Sequence, residues 1–254
     1  MKIATWNVNS LGVRLPQVLD WLAANQPDVL CMQETKLPDD KFTHAEFKAV
    51  GYESEWFGQK TYNGVALISK TPATDVARNI FGFDDDQTRV IAGSVGGIRV
   101  IGAYFPNGQA PGSDKFAYKM KWLQALREWV KAELVKHPRL ALMGDFNIAP
   151  EDRDVCDPVA WAGQIHCTNE EREHFQQLLG LGLHDAFRLF DQPPKLYSWW
   201  DYRMLAFRRN QGLRIDHILV SEALKPQVKA CFIDKLPRKN ERPSDHAPVV
   251  VELG

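Results

Sequence analysis

The chain has 254 residues and a mass of 28.9 kDa, and it is 44% hydrophobic and 25% charged. These proportions are typical of globular proteins and exclude a disordered, collagen-like or low-complexity chain. The 31 lysines and arginines nearly balance the 32 aspartates and glutamates. This balance excludes a polybasic protein that coats nucleic acid, but it leaves room for a local basic face.

The cysteines and the apolar runs indicate where the protein works. Four cysteines occur without a CxxC pair or a Cys/His cluster at zinc spacing, so we expect free thiols in a reducing cytoplasm. No run of about 18 apolar residues is present, and no transmembrane helix is expected. Asn7 and Asn9 interrupt the first apolar run, so no secretory signal is visible. A cytoplasmic protein is predicted.

Short apolar runs alternate with amphipathic stretches, which indicates a mixed α and β protein. In chain order we predict a strand at 2–9, a helix at 14–26, strands at 27–34, 62–69, 89–95 and 98–105, a helix at 114–138, a strand at 139–147, a helix at 169–181, and strands at 213–221, 227–234 and 246–253. Glycines at 96 and 97 mark a hairpin turn. No repeat, flexible linker or composition break divides the chain, so residues 1–254 are predicted to form a single domain.

Acidic, amide and histidine residues collect at the ends of the predicted strands. They are Asn7, Glu34, Asp145, Asn147, Asp216, His217, Asp245 and His246. Strand ends can converge in one cleft of an open α/β architecture, so we expect these side chains to meet. Hard oxygen ligands suit Mg²⁺ or Mn²⁺ better than zinc or copper. Each residue also has a structural alternative, such as a turn acceptor or a buried carboxylate.

The chain contains, in order, the strings TWNVNSL, CMQETK, GQKTYNGVALIS, AYFPNG, LMGDFNIAP, SWWDYR, GLRIDHILVS and RPSDHAPV. Together they resemble the exonuclease III family of AP endonucleases, within the endonuclease/exonuclease/phosphatase superfamily, over essentially the whole chain. The resemblance implies a four-layered α/β sandwich of the DNase I type, with two mixed β-sheets face to face and helices outside. It also implies Mg²⁺-dependent hydrolysis of DNA phosphodiesters in base excision repair.

The resemblance implies a metal site and an activated water. Asn7, Glu34 and Asp245 resemble the family's metal-site residues. Asp145 and Asn147 of GDFN resemble the pair that orients and activates the attacking water, and both also lie at the implied metal site. A carboxylate can take a proton from a water within hydrogen-bond reach, but it is a poorer base when it binds metal. The choice between these two roles for Asp145 stays open at this stage.

Three further residues are implied at the phosphate. His246 resembles the residue that contacts the scissile phosphate and the metal site, with Asp216 as its orienting partner. Tyr104 of AYFPNG resembles the family's catalytic tyrosine. Phosphodiester hydrolysis builds negative charge on oxygen, which a metal ion and hydrogen-bond donors stabilise.

DNA contacts are expected where basic and aromatic residues mix. The segment 196–214 could insert a ring beside a distorted nucleotide, or it could be part core and part solvated face. The candidate DNA contacts are Lys60, Asn63, Arg89, Asn107, His166 and Trp199, and further candidates for phosphate are Lys115, Lys119, Arg203, Arg208, Arg209 and Arg214.

The segment GQIHCTNEEREH departs from the family pattern, because His166 lies where a small-residue loop approaches the damaged nucleotide in relatives. Its ring either narrows the pocket or belongs to a surface loop. Asn107 also stands where relatives often have glutamine. We therefore expect 3′–5′ exonuclease and 3′-end-cleaning activity, and incision at abasic sites stays open.

The expected partner is double-stranded DNA with 3′ ends, nicks or abasic sites, and the expected state is a monomer that does not bind membranes. The expected location is the bacterial cytoplasm, in association with the nucleoid through DNA. One alternative is a phosphodiesterase of the same fold that acts on RNA or on lipid or inositol phosphates. An alternative of another class is a catalytically inactive DNA-binding module. The strings SWWDYR and GLRID argue against the first, and the complete set of acidic, amide and histidine residues argues against the second.

Overall fold

The computed structural model describes residues 1–254 and contains two six-stranded β-sheets and five α-helices. The strands are β1 (Lys2–Asn7), β2 (Val29–Gln33), β3 (Glu53–Phe57), β4 (Val65–Ser69), β5 (Thr74–Arg78), β6 (Val90–Val95), β7 (Ile98–Tyr104), β8 (Leu140–Asp145), β9 (Leu183–Asp185), β10 (Asp216–Ser221), β11 (Val228–Ile233) and β12 (Val249–Leu253). The helices are α1 (Leu11–Asn25), α2 (His44–Ala49), α3 (Asp114–Lys136), α4 (Pro158–Trp161) and α5 (Asn169–Leu179). None of these helices has both the length and the apolar character needed to cross a bilayer.

Both sheets are mixed. The first has the strand order β11-β12-β1-β2-β4-β3, and the second has the order β5-β6-β7-β8-β10-β9. The pairs β1–β2 and β7–β8 are parallel, and the other neighbours are antiparallel. The sheets lie face to face with the helices outside, so the predicted four-layered α/β sandwich is confirmed.

Three apolar layers hold the sandwich together. Side chains from both sheets meet in the central layer, where Val29 and Leu67 of the first sheet share a cluster with Val100 and Met143 of the second. One outer layer lies under α3 and α5, and the other lies under α1 and α2. The central strands are buried on both faces, which explains why their sequences are nearly continuous apolar runs.

Most predicted elements are present, but the edges of the sheets differ from the prediction. The short strands β3, β5 and β9 and the short helices α2 and α4 were not predicted. Edge strands β3 and β5 are half-exposed and carry charged residues, so neither forms an apolar run. The first helix begins at Leu11 rather than at 14, and the helix predicted to end just before Gly182 ends at Leu179.

Candidate active site

The site lies where the two sheets meet at one end of the sandwich. Tyr104, Asp145 and Asp216 stand side by side in the second sheet, because Asp145 pairs with Tyr104 of β7 and with Asp216 of β10. Asn7 ends β1 in the first sheet, and Glu34 follows β2. The register and the ends of these strands therefore place the polar residues of both sheets at the same end of the sandwich.

Asn7 joins the two sheets through its side-chain amide. Its Nδ2 donates to Glu34 Oε1 at 2.8 Å and to Asp145 Oδ2 at 2.9 Å. Asn7 itself is fully buried, so this geometry is fixed from both sides. The amide thus holds two carboxylates from different sheets close together, although their like charges repel.

Glu34, Asp145 and His246 form a group that could hold a metal ion, because one ligand atom from each lies within 4.8 Å of the others. Glu34 has a left-handed backbone with a φ of 54°, which few residues other than glycine or asparagine adopt. Lys36 Nζ lies 2.9 Å from Glu34 Oε2 and partly balances its charge. The carboxylate oxygens of this group match the ligands of hard divalent cations, whereas Asn7 turns its donor Nδ2 toward them and its Oδ1 accepts from the backbone N of Asn9.

Asp145 is buried and accepts hydrogen bonds on both oxygens. Its Oδ1 accepts from the backbone N of Asn147 at 2.9 Å, and its Oδ2 accepts from Asn7 Nδ2 and, at 3.3 Å, from Asn147 Nδ2. Burial raises the pKa of Asp145 above its ordinary value, against the opposing effect of His246. A carboxylate with a raised pKa takes a proton more readily near neutral pH.

His246 is held by Asp216. The ring Nδ1 lies 2.9 Å from Asp216 Oδ2 and 3.1 Å from Oδ1, and the ring Nε2 lies 3.7 Å from Asp145 Oδ2. Burial by itself would lower the pKa of His246, but the carboxylates of Asp216 and Asp145 outweigh it and raise that pKa. The imidazole is therefore charged at neutral pH and presents a donor at Nε2.

Asp245 lies outside this group and is fixed by two donors. Its Oδ1 accepts from Asn9 Nδ2 at 2.9 Å, and its Oδ2 accepts from the indole Nε1 of Trp199 at 3.0 Å. Burial opposes ionisation, but His246 and these donors lower the pKa of Asp245, which is thus ionised. Its predicted role at a metal site stays a prediction.

A cavity of about 660 Å³ opens beside Tyr104 and Asn107. Burial and the charges of Glu34 and Asp145 raise the pKa of Tyr104, so its hydroxyl keeps its proton. The guanidinium of Arg89 lies 4.9 Å from the centre of the Tyr104 ring. The lining residues are Gln59, Tyr62, Asn63, Gln87, Arg89, Tyr104, Pro106, Asn107, Gly108, Gln109, Lys115 and Tyr118.

His166 is buried beside the site and is not a surface loop residue. Its Nδ1 donates to the carbonyl oxygen of Asn147 at 2.8 Å, and its Nε2 lies 3.5 Å from Asn107 Nδ2. The ring centre is 6.4 Å from that of Trp199. Burial and the charge of Lys119 lower the pKa of His166 to about 4, so the ring is neutral.

Two of the further phosphate candidates are wrong. Lys119 is fully buried and pairs with Glu171. Arg214 is also buried and pairs with Asp154 and Asp185. Both were predicted to be surface cations, because the sequence around a lysine or arginine does not show whether an acidic partner lies in the protein interior.

The other candidate contacts stay predictions, and two supporting residues were missed. Lys60 and Lys115 are exposed, whereas Asn63 is buried and its side chain donates hydrogen bonds to Gln59 and Gln87.

Sequence reasoning missed Asn9, which fixes Asp245, and Ser244, whose hydroxyl donates to the carbonyl of the metal-site candidate Asn7. Their places in TWNVNSL and PSDH were the available signal.

Comparison with known proteins agrees with this geometry. The model of the endonuclease/exonuclease/phosphatase family matches residues 4–246. Exodeoxyribonuclease III of Haemophilus influenzae is 35% identical, with 100% of both chains covered. The structure of the 3′ phosphatase NExo from Neisseria, bound to a product DNA hairpin, has a TM-score of 0.99 and 51% identity, covering 100% of this chain and 99% of that one.

An AP endonuclease from Archaeoglobus fulgidus has a TM-score of 0.96 and 36% identity, again covering 100% of this chain and 99% of that chain. These similarities extend along the full sequence, as the strings quoted above do. The chain therefore belongs to the endonuclease/exonuclease/phosphatase family, in its branch of exonuclease III-like AP endonucleases.

Proposed function

We propose that this protein is a metal-dependent DNA phosphodiesterase of base excision repair, which removes nucleotides and blocking groups from the 3′ ends of duplex DNA. The observation that carries the proposal is the joining of Glu34 and Asp145 by Asn7, next to the charged His246–Asp216 pair. Exodeoxyribonuclease III and a 3′ phosphatase among the similar proteins support the same activity.

The proposed cofactor is Mg²⁺ or Mn²⁺. Glu34 would hold the ion, with Asp245 as a second proposed ligand and Asn7 and Asn147 beside the site, and Asp145 stays free to act as the base. Carboxylate oxygens are ligands that these ions prefer, and no cysteine lies in the group to favour a softer metal. When bound, such an ion polarises the phosphoryl oxygens and stabilises the leaving 3′ oxygen.

The chain's own residues supply the proton transfers and the positioning. A water attacks phosphorus as the bond to the 3′ oxygen breaks, and Asp145 takes the proton of this water. Asn147 helps to hold the water, and the charged His246 donates from Nε2 to a phosphoryl oxygen. Asp216 fixes the ring of His246, and the protonated hydroxyl of Tyr104 donates to the phosphate.

Duplex DNA lies across the cavity beside Tyr104 in this proposal. Lys60, Asn63, Arg89 and Asn107 contact the strand there, and Trp199 contacts the nucleotide next to the phosphate. The net charge of −1 means that affinity for DNA comes from this local clustering of cations, so it falls steeply with salt. The working unit is proposed to be one chain folded as a single domain.

His166 sets the substrate preference in this proposal. Its ring fills the space between Asn107 and Trp199, and its hydrogen bond to Asn147 holds it there. A 3′-terminal group reaches the metal site past this ring, whereas an abasic sugar within a continuous strand needs more room. Removal of 3′ ends is therefore faster than incision at internal abasic sites.

The test uses one 5′-labelled duplex with a recessed 3′ end and an internal abasic-site analogue. We expect shortening from the 3′ end with Mg²⁺, complete inhibition by EDTA, and slower incision at the analogue. RNA and small phosphate esters of equal concentration are the comparison substrates. Absence of shortening, shortening that persists in EDTA, or faster turnover of RNA or the esters would refute the proposal.

A further inference from the structure

A fully buried ion pair lies beneath the site and takes no part in the proposed chemistry. It joins Lys119 of α3 to Glu171 of α5, and neither side chain has any exposed surface. Burial lowers the pKa of Lys119, while Glu171 opposes this effect. A charge buried this completely needs fixed partners on every side, because each unpaired donor or acceptor costs free energy.

The other partners of Lys119 belong to the site. Its Nζ donates to the carbonyl oxygen of Asn147 at 2.8 Å and to that of Asn107 at 3.2 Å. The backbone of Asn147 is left-handed, with a φ of 51°, a conformation that needs support from its surroundings. The ammonium thus joins two chain segments whose side chains face each other at 3.3 Å, from Asn107 Nδ2 to Asn147 Oδ1.

Glu171 holds the loop of His166 from the other side of the pair. Its Oε1 accepts from the backbone N of His166 at 3.1 Å as well as from Lys119. Its Oε2 accepts from the backbone N of Thr168 at 3.0 Å and from the hydroxyl of Thr168 at 2.8 Å. One carboxylate therefore fixes both the start of α5 and the backbone of His166.

We propose that Lys119 and Glu171 are positioning residues, which set the spacing of Asn107, Asn147 and His166 around the scissile phosphate. The inference rests on the proposed function and adds to it. A buried ion pair can often be replaced by apolar residues with little loss of stability, so stability alone does not explain this one. Its particular feature is that three of its five remaining hydrogen bonds end on Asn107, Asn147 and His166, while the other two hold Thr168 at the start of α5.

The same helix offers a matched control. Arg99 of β7 pairs with Glu133 near the end of α3, with a distance of 2.7 Å and side-chain exposures of 2% and 5%. The remaining partner of Arg99 is Asp75, on edge strand β5. This pair is nearly as well buried as the first, but it holds no segment of the site.

The experiment compares Lys119→Met/Glu171→Leu with Arg99→Met/Glu133→Leu, each replacing a whole pair so that no lone charge stays buried. For the first variant we expect kcat for 3′-end removal to fall at least about tenfold with KM changed less than about threefold, because a misplacement of about 1 Å can cost about 100-fold. The control variant keeps kcat within about twofold. Thermal melting measures how far each variant is folded.

A folded Lys119→Met/Glu171→Leu protein with wild-type kcat would overturn the inference, as would an equal loss of kcat in the control. If this variant does not fold, Glu171→Gln decides instead, since it keeps the size of the side chain but cannot accept all four hydrogen bonds. Wild-type kcat and KM in folded Glu171→Gln would also overturn the inference. An inactive wild-type protein would instead refute the proposed function, and the inference with it.

Discussion

Replacing His166 by serine tests the basis of substrate choice. The imidazole is neutral at pH 7, because burial and Lys119 lower its pKa to about 4. The replacement therefore removes volume and one hydrogen bond, but no charge. Any change in substrate preference then reports the space between Asn107 and Trp199 rather than the electrostatics of the site.

The structure gives the size of the effect. The lost hydrogen bond from His166 Nδ1 to Asn147 is worth about 1 kcal/mol, so 3′-end removal slows at most about fivefold. Forcing a group into an already filled space costs about 1–3 kcal/mol. Relief of that cost raises incision at an abasic site by about 5–150-fold. The ratio of incision to 3′-end removal therefore rises at least about fivefold.

Single-turnover cleavage of one duplex that carries both targets measures this ratio directly. His174→Ser is the control, because it removes a half-buried histidine from α5 at a place outside the site. An unchanged ratio in a folded His166→Ser protein would refute the steric argument. A rise of equal size in His174→Ser would show that α5, and not the ring of His166, governs the preference.

Three further results are expected. Asp216→Asn removes a carboxylate that raises the pKa of His246. The alkaline limb of the profile of kcat/KM against pH should therefore move more than about one unit toward lower pH. An unmoved limb would show that the His246–Asp216 pair does not set the pKa seen in this limb. Burial and Arg214 lower the pKa of His217 to about 4, so its contribution to stability is complete above about pH 6.5 and is lost as the pH falls toward 4. That loss is about 2 kcal/mol at pH 5, and urea midpoints should show His217→Gln losing less stability on acidification than the wild type, whereas equal slopes would contradict this. Trp199→Phe removes the hydrogen bond to Asp245 and should raise the Mg²⁺ concentration for half-maximal rate by about tenfold. An unchanged Mg²⁺ requirement would refute the assignment of Asp245 to the metal site.

The interior of the fold was predictable from the sequence because its strands are buried on both faces. Strands such as β2 and β8 are apolar along nearly their whole length, and such runs are visible without any structure. Edge strands β3 and β5 gave no such signal, since their exposed positions carry charged residues. The resemblance, rather than periodicity, predicted the four layers.

The site was predictable in its composition but not in its geometry. Asn7, Glu34 and Asp145 were predicted because they lie at the ends of predicted strands. No sequence pattern shows, however, that the amide of Asn7 spans the two sheets. Buried cations were the main failure. Lys119 and Arg214 are long, charged side chains that usually lie at the surface, and their acidic partners are distant in sequence.

Asp145→Asn tests the central claim most directly, because Asp145 is the proposed base that takes the proton of the attacking water. The measurement is the single-turnover rate of 3′-end removal at saturating Mg²⁺, with DNA affinity determined separately on the same duplex. We expect affinity within about threefold of wild type and a rate more than about 100-fold lower, since a positioned base contributes about 10²–10⁴-fold. A folded Asp145→Asn protein that cleaves near the wild-type rate would contradict the account.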